Sequence, residues 1–170
     1  SFYGTVIGQD QTGGLVGQNL STIELSSARA HVTGAASTGG AIGDNGASIS
    51  RLFSTGQVNG TDYVGGLVGR TLANVHDSYS SAQVTATNGV AGGLIGSVGS
   101  TPNDVEIKNS YSTGSVSGNS VSGGLVGNAP RVSSPAFDIT DSFWDVETSG
   151  IGLTGTDDVG AIGKTTADMK

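Results

Sequence analysis

One five-residue phrase governs what this chain can fold into. It reads Gly13-Gly14-Leu15-Val16-Gly17 and returns as Gly39-Gly40-Ala41-Ile42-Gly43, Gly65-Gly66-Leu67-Val68-Gly69, Gly92-Gly93-Leu94-Ile95-Gly96 and Gly123-Gly124-Leu125-Val126-Gly127. A weaker sixth copy is Val159-Gly160-Ala161-Ile162-Gly163. Successive copies start 26, 26, 27, 31 and 36 residues apart. A period of this length marks a stacked array, in which one repeat cannot bury its apolar face alone and neighbours build a continuous core.

A second motif of twelve residues fills the space between the phrases, running 23–34, 49–60, 75–86, 107–118 and 139–150. An aliphatic residue opens each copy. Four places on stands an aromatic in Phe53, Tyr79, Tyr111 and Phe143, with Ser27 as the exception. Nine places on, Val32, Val58, Val84 and Val116 recur, and Thr148 takes that place in the last copy. The opening residues Ser1 to Ile7 align with the middle of this motif, with Phe2 at the aromatic place and Ile7 at the valine place. The chain is therefore expected to be one repeat domain over 1–170, cut from a longer array, with 141–170 as a degenerate terminal repeat.

The apolar runs are short, rich in β-branched residues and bounded by Gly, Asn, Ser and Thr, which is strand-and-turn chemistry. No stretch holds the i, i+3, i+4, i+7 pattern of an amphipathic helix. Thirty glycines also oppose helix, since each interior Gly costs about 1 kcal/mol relative to Ala. The fold class is all-β. Three strand candidates per repeat (the Gly-Leu-Val-Gly phrase, the Ile-x-x-Ser-aromatic segment and the Thr-Gly-x-Val-x-Gly segment) fit one coil of a parallel β-helix. About six coils at the inter-strand spacing would make a rod roughly 29 Å long. Leu and Val are adjacent in the phrase, and adjacent strand residues face opposite ways. Either the chain bends there or the outer face is covered. A β-prism or blade-like arrangement of three-stranded units is the alternative architecture.

Fourteen acidic against seven basic residues give a formal net charge of −7. With Lys and Arg scattered, this argues against nucleic acid, which needs a basic patch. There is no run of 18 apolar residues, so no membrane-inserted helix is expected. Cysteine is absent, so disulfides and cysteine metal sites are excluded. His31 and His76 occupy non-equivalent places, and neither a triad nor a zinc spacing is present. Gly163-Lys164-Thr165 ends like a phosphate-binding loop, but Asp158 stands where that motif needs its first Gly.

The paired motifs, with Ser110-Tyr111-Ser112-Thr113-Gly114-Ser115-Val116 as the fullest phrase and Asp141-Ser142-Phe143-Trp144-Asp145 as the closing stretch, resemble the GLUG repeat. The tail Gly163 to Lys170 is similar to the end of such arrays. The resemblance implies a non-catalytic stalk or adhesion module of a large secreted or surface-attached bacterial or archaeal protein. It implies an extracellular or cell-surface location, and contact with a host or environmental surface. It carries no catalytic residue to this chain.

Candidate contacts come from two places. After the fourth and fifth phrases the chain runs longer, with ten residues (97–106) and eleven (128–138) where the first three have five. Such insertions tend to line one face of a repeat array, often the binding face. They single out Asp104, Glu106, Arg131 and Phe137, with Pro102, Pro130 and Pro135 stiffening the loops. The acidic column Asp77, Asn109 and Asp141 could hold calcium or a polar ligand, or could be a solvated ladder capped by Arg51. Asp138, Asp141, Asp145 and Glu147 form the densest acidic cluster, and Asp138 and Asp141 complete the contact set. Paired carboxylates near Trp144 also keep a carbohydrate-binding or carbohydrate-processing β-helix in view. Columns of Thr33, Asn59, Thr85, Ser117 and Ser149, and of Thr55, Ser81 and Thr113, keep ice binding as a third reading. Exposed end coils predict end-to-end association, with neighbouring repeats of the parent protein as the natural partners.

Overall fold

The structure, a computed structural model, describes residues 1–100, 104–129, 137–152 and 160–170. Three parallel sheets run along one axis, so the chain is a parallel β-solenoid. The broad sheet has twelve strands among the described residues, and each of the other two has five. A lead-in sheet holds Thr12–Gly13, Ser37–Gly39, Tyr63–Gly65, Val90–Gly92 and Val121–Gly123. A lead-out sheet holds Val16–Asn19, Ile42–Asn45, Val68–Thr71, Ile95–Val98 and Val126–Asn128.

The Gly-rich phrase is therefore not one strand but the corner between these two sheets. Its first Gly ends a lead-in strand, its aliphatic fourth residue begins a lead-out strand, and Gly-Leu makes the bend. Because of the bend, both Leu67 and Val68 point into the core and are fully buried. Pairing does not lapse at the corner: Leu15, Ala41, Leu67 and Leu94 each donate from the backbone amide to the equivalent residue of the next coil, at 2.8–2.9 Å. The two remaining strand candidates of each repeat share the broad sheet. In Ile49–Gly60 they are one continuous strand.

The glycines are required by close approach rather than by positive φ. A methyl on Gly65 would lie 1.9 Å from the Val68 carbonyl oxygen and 2.5 Å from the Gly96 nitrogen. The second glycine of the phrase meets the broad sheet across the coil, Gly40 against Ser54, Gly66 against Ser80 and Gly93 against Ser112. That contact pinches each coil into two lobes with separate apolar cores. One lobe holds the ladder Ile49, Val75, Ile107 and Ile139 with the buried leucines of the phrase. The other holds Val32, Val58, Val84 and Val116.

Two alignments made on sequence need correction. Phe2 pairs with Ala28 and Val6 with Val32, so the opening segment is shifted by one place. Val6 takes the valine place and packs against the core, whereas Ile7 is exposed. The pleat decides this, since a one-residue shift sends every side chain to the other face. The sixth phrase is not a corner either. Ile162–Lys164 pairs with Phe143–Asp145 and extends the broad sheet.

Candidate functional site

Residues two places after the opening aliphatic, Leu25, Arg51, Asp77, Asn109 and Asp141, all have φ between 48° and 57°. This left-handed conformation suits Asp and Asn, which explains the acidic column without a ligand. Asn109 Nδ2 donates to Asp77 Oδ1 at 3.0 Å, so the column is a hydrogen-bonded ladder. Among the described residues, no group of three or more His, Cys, Asp or Glu is placed to hold a metal ion. The twist interrupts backbone pairing, and serine hydroxyls restore it. Ser78, Ser110 and Ser142 accept from the amides of Leu52, Ser78 and Ser110, respectively, at 3.1–3.2 Å. Each donates to the carbonyl two residues back in its own coil, at 2.7–2.8 Å.

On the outer face of the broad sheet the aromatic places form a row. Phe53 and Tyr79 stack with centroids 5.1 Å apart, and Tyr79 and Tyr111 at 5.0 Å, with planes within 5°. Where Ser27 leaves the column without a ring, Arg29 spans the coil instead. Its guanidinium lies 5.6 Å from the Tyr3 ring centroid and 5.4 Å from that of Phe53. At the other end the Lys164 ammonium sits 3.6 Å from the Phe143 centroid. A cation over an aromatic face is attracted by the ring quadrupole. Arg29 thus covers the Phe53 end of the row, and Lys164 covers Phe143, the register neighbour of Tyr111 at the other end.

Beside this end lies a pocket of about 580 Å³, lined by Tyr111, Phe143, Asp145, Lys164, Thr166 and Asp168 among others. A volume in this range suits a small-molecule ligand. Asp145 is buried and caps the short helix Val146–Ser149, accepting from the Glu147 and Thr148 amides at 2.9 and 3.2 Å. Its second oxygen accepts from the Thr166 hydroxyl at 2.7 Å. Burial works against ionisation of Asp145, but these hydrogen bonds outweigh it and hold the carboxyl below its ordinary range. Tyr111 moves the opposite way: burial and then the neighbouring Tyr79 raise its phenol, so it remains protonated.

The residues singled out by sequence fall apart into different places. Glu106 and Asp138 are register neighbours on the broad sheet. Glu106 lies 3.0 Å from His76 and 4.0 Å from Lys108, in a half-buried charge cluster. Its amide donates to Asn74 Oδ1 at 2.9 Å. Part of each supposed insertion is thus strand: Val105 and Phe137 pair and lengthen the broad sheet. Phe137 is half-buried against the core, so its ring serves packing. Asp104 lines a separate, smaller hollow with Ser48 and Asn74. Arg131 lies outside the described residues. Asp141 belongs to the left-handed column. Of the acidic cluster only Asp145 reaches the pocket.

Of the hydroxyl columns, Thr33, Asn59, Thr85 and Ser117 are in register. Ser149 leaves the column because it lies in the short helix. Lys164, Thr166 and Asp168 were missed as site residues. The aromatic column pointed to Tyr111 and Phe143, but no repeat signature showed that the tail returns beside them.

The GLUG motif family model matches residues 60–85. That segment contributes a complete lead-in strand, corner and lead-out strand, and its neighbours repeat them in register. The chain thus carries a GLUG motif at 60–85, set within a repeat module whose other coils build the same strands and corner. No curated protein matches the chain.

Proposed function

We propose that this chain is a non-catalytic adhesion module carried on a rigid solenoid, working outside the cell or at its surface. The observation that carries this reading is the stacked row Phe53, Tyr79 and Tyr111, held at regular spacing on the broad sheet, with Arg29 over Phe53 at one end and the Lys164–Phe143 pair in the neighbouring coil at the other. Outward aromatic and cationic side chains on a stiff scaffold suit contact with another surface at little entropic cost. Asp145, the carboxylate of the acidic cluster that lines the pocket, is held below its ordinary range by its hydrogen bonds and so is unsuited to donate a proton as a glycosidase acid does.

The test is a broad glycan array run beside an assay for oligosaccharide cleavage and for attachment to immobilised matrix proteins. Saturable attachment without turnover is expected. Turnover would overturn the reading, and silence on every surface would reduce the module to a passive stalk.

A further inference from the structure

The pocket at the end of the aromatic row has a composition that points to one ligand class. Tyr111 stacks on Tyr79 by one face, and Tyr79 is not part of the pocket lining, whereas Tyr111 is. One side of the Tyr111 ring is thus used within the row and the pocket adjoins the ring elsewhere. Phe143 is fixed beside it under Lys164. Aromatic rings alone would suit any apolar group, but the rest of the wall is rich in hydroxyls and charges. Thr113 and Thr166 contribute hydroxyls, Asp145 and Asp168 carboxylates, and Lys164 and Lys170 ammonium groups.

The charges balance. A strongly anionic ligand would face Asp145 and Asp168, and a strongly cationic one Lys164 and Lys170. A neutral molecule with many hydroxyl groups meets donors and acceptors on every side. The buried Asp145 is fixed in the pocket wall by the Glu147 and Thr148 amides and the Thr166 hydroxyl, and as a carboxylate it presents only acceptors to a ligand hydroxyl. Thr166 gives its proton to Asp145, so its oxygen can accept. Such groups are oriented before a ligand arrives, which lowers the cost of binding.

We propose that this pocket binds the end of a neutral pyranose oligosaccharide, with Tyr111 as the platform beneath one sugar ring and Asp145, Thr166 and Lys164 bonding its hydroxyls. The proposal rests on the adhesion reading and names the ligand class for it. The aliphatic C–H face of a pyranose packs on an aromatic ring, and its equatorial hydroxyls reach the polar rim. The remainder of the glycan extends along the rod.

The experiment is isothermal titration of the whole chain with maltohexaose, cellohexaose, mannohexaose and chitohexaose, with hexagalacturonate as an anionic comparator. Saturable binding of at least one neutral hexaose is expected, with hexagalacturonate weaker. Tyr111→Ala should weaken binding about tenfold or more, equivalent to about 1.4 kcal/mol, while Tyr111→Phe keeps most of it. Lys164→Gln provides a second variant should the loss of the ring unsettle the row, and should also weaken binding. Circular dichroism checks that each variant is folded. The pocket assignment fails if no neutral hexaose binds, if hexagalacturonate is preferred, or if both Tyr111→Ala and Lys164→Gln bind as wild type does. Binding that ignores these substitutions removes the pocket but leaves an adhesive module. Cleavage, or the absence of all surface attachment, removes the adhesion reading itself.

Discussion

The position that faces the second glycine of the phrase is Ser54, Ser80 or Ser112 in the middle coils and Trp144 in the last. The same register place holds one of the smallest polar side chains and then the largest side chain of all. Ser54 and Ser112 donate to the carbonyls of Gly66 and Gly124, tying the pinch of one coil to the corner of the next. Trp144 instead lies between Gly124 and Gly163, with its ring against both. Small residues keep room for a following corner. The indole fills the space that such a corner would use, and it joins the core of one lobe. The difference teaches that the pinch is a spacing device, with its occupant matched to what stacks beyond it.

Gly66→Ala is the harshest test of that comparison. The new methyl would sit 2.1 Å from the Gly93 carbonyl oxygen and 2.3 Å from Ser80 Oγ. A loss of about 4 kcal/mol or more is expected, which thermal or urea unfolding would read. Adding Ser80→Gly should not rescue it, because the Gly93 backbone remains in the way. Rescue would show that side-chain crowding, not the wall spacing, sets the pinch.

Trp144→Ala should cost about 3–5 kcal/mol. In a repeat protein the damage should be local. Hydrogen exchange is expected to rise in 137–152 and 160–170 while the Ile49–Gly60 strand stays protected. A uniform rise across the coils would break the distinction between the last coil and the middle ones.

Ser110→Ala probes the left-handed column next to the pinch. It leaves the buried Ser78 amide without its acceptor and should cost about 1–3 kcal/mol by chemical denaturation. The smallest effect is a gain. Leu25 has φ 51° and an exposed side chain, so Leu25→Asn should stabilise by about 1 kcal/mol by relieving the left-handed strain. A lower melting temperature for that variant would mean that Leu25 makes a contact worth more than its strain.

These same residues show what could be read in the sequence. The fold class and the in-register ladders were legible, because a strict period places Ile49, Val75 and Ile107 above one another whatever the shape of the coil. The bend inside the phrase was legible only as a conflict, the adjacent Leu and Val both being apolar. The left-handed column could be suspected at Asp77, Asn109 and Asp141, residue types that favour it, but Leu25 and Arg51 give no such signal. The candidate site was legible in half. Tyr111 and Phe143 stand out by their period, whereas Lys164 and Thr166 arrive through a tail that follows no repeat. Glu106 and Asp138, drawn from two separate sequence features, are register neighbours on a charged stretch of sheet away from the pocket.

The direction of pairing has a mechanical consequence. All backbone hydrogen bonds between coils run along the rod, whereas the chain itself winds around it. Tension applied through the chain would therefore peel one coil from the next, not shear several together. A released coil of 26 residues, such as the one that begins at Ile23, would pay out a contour of about 90 Å at the extended length per residue, and the longer coils more. Under load such a rod lengthens in discrete steps, and the intact coils hold their shape until their own turn comes.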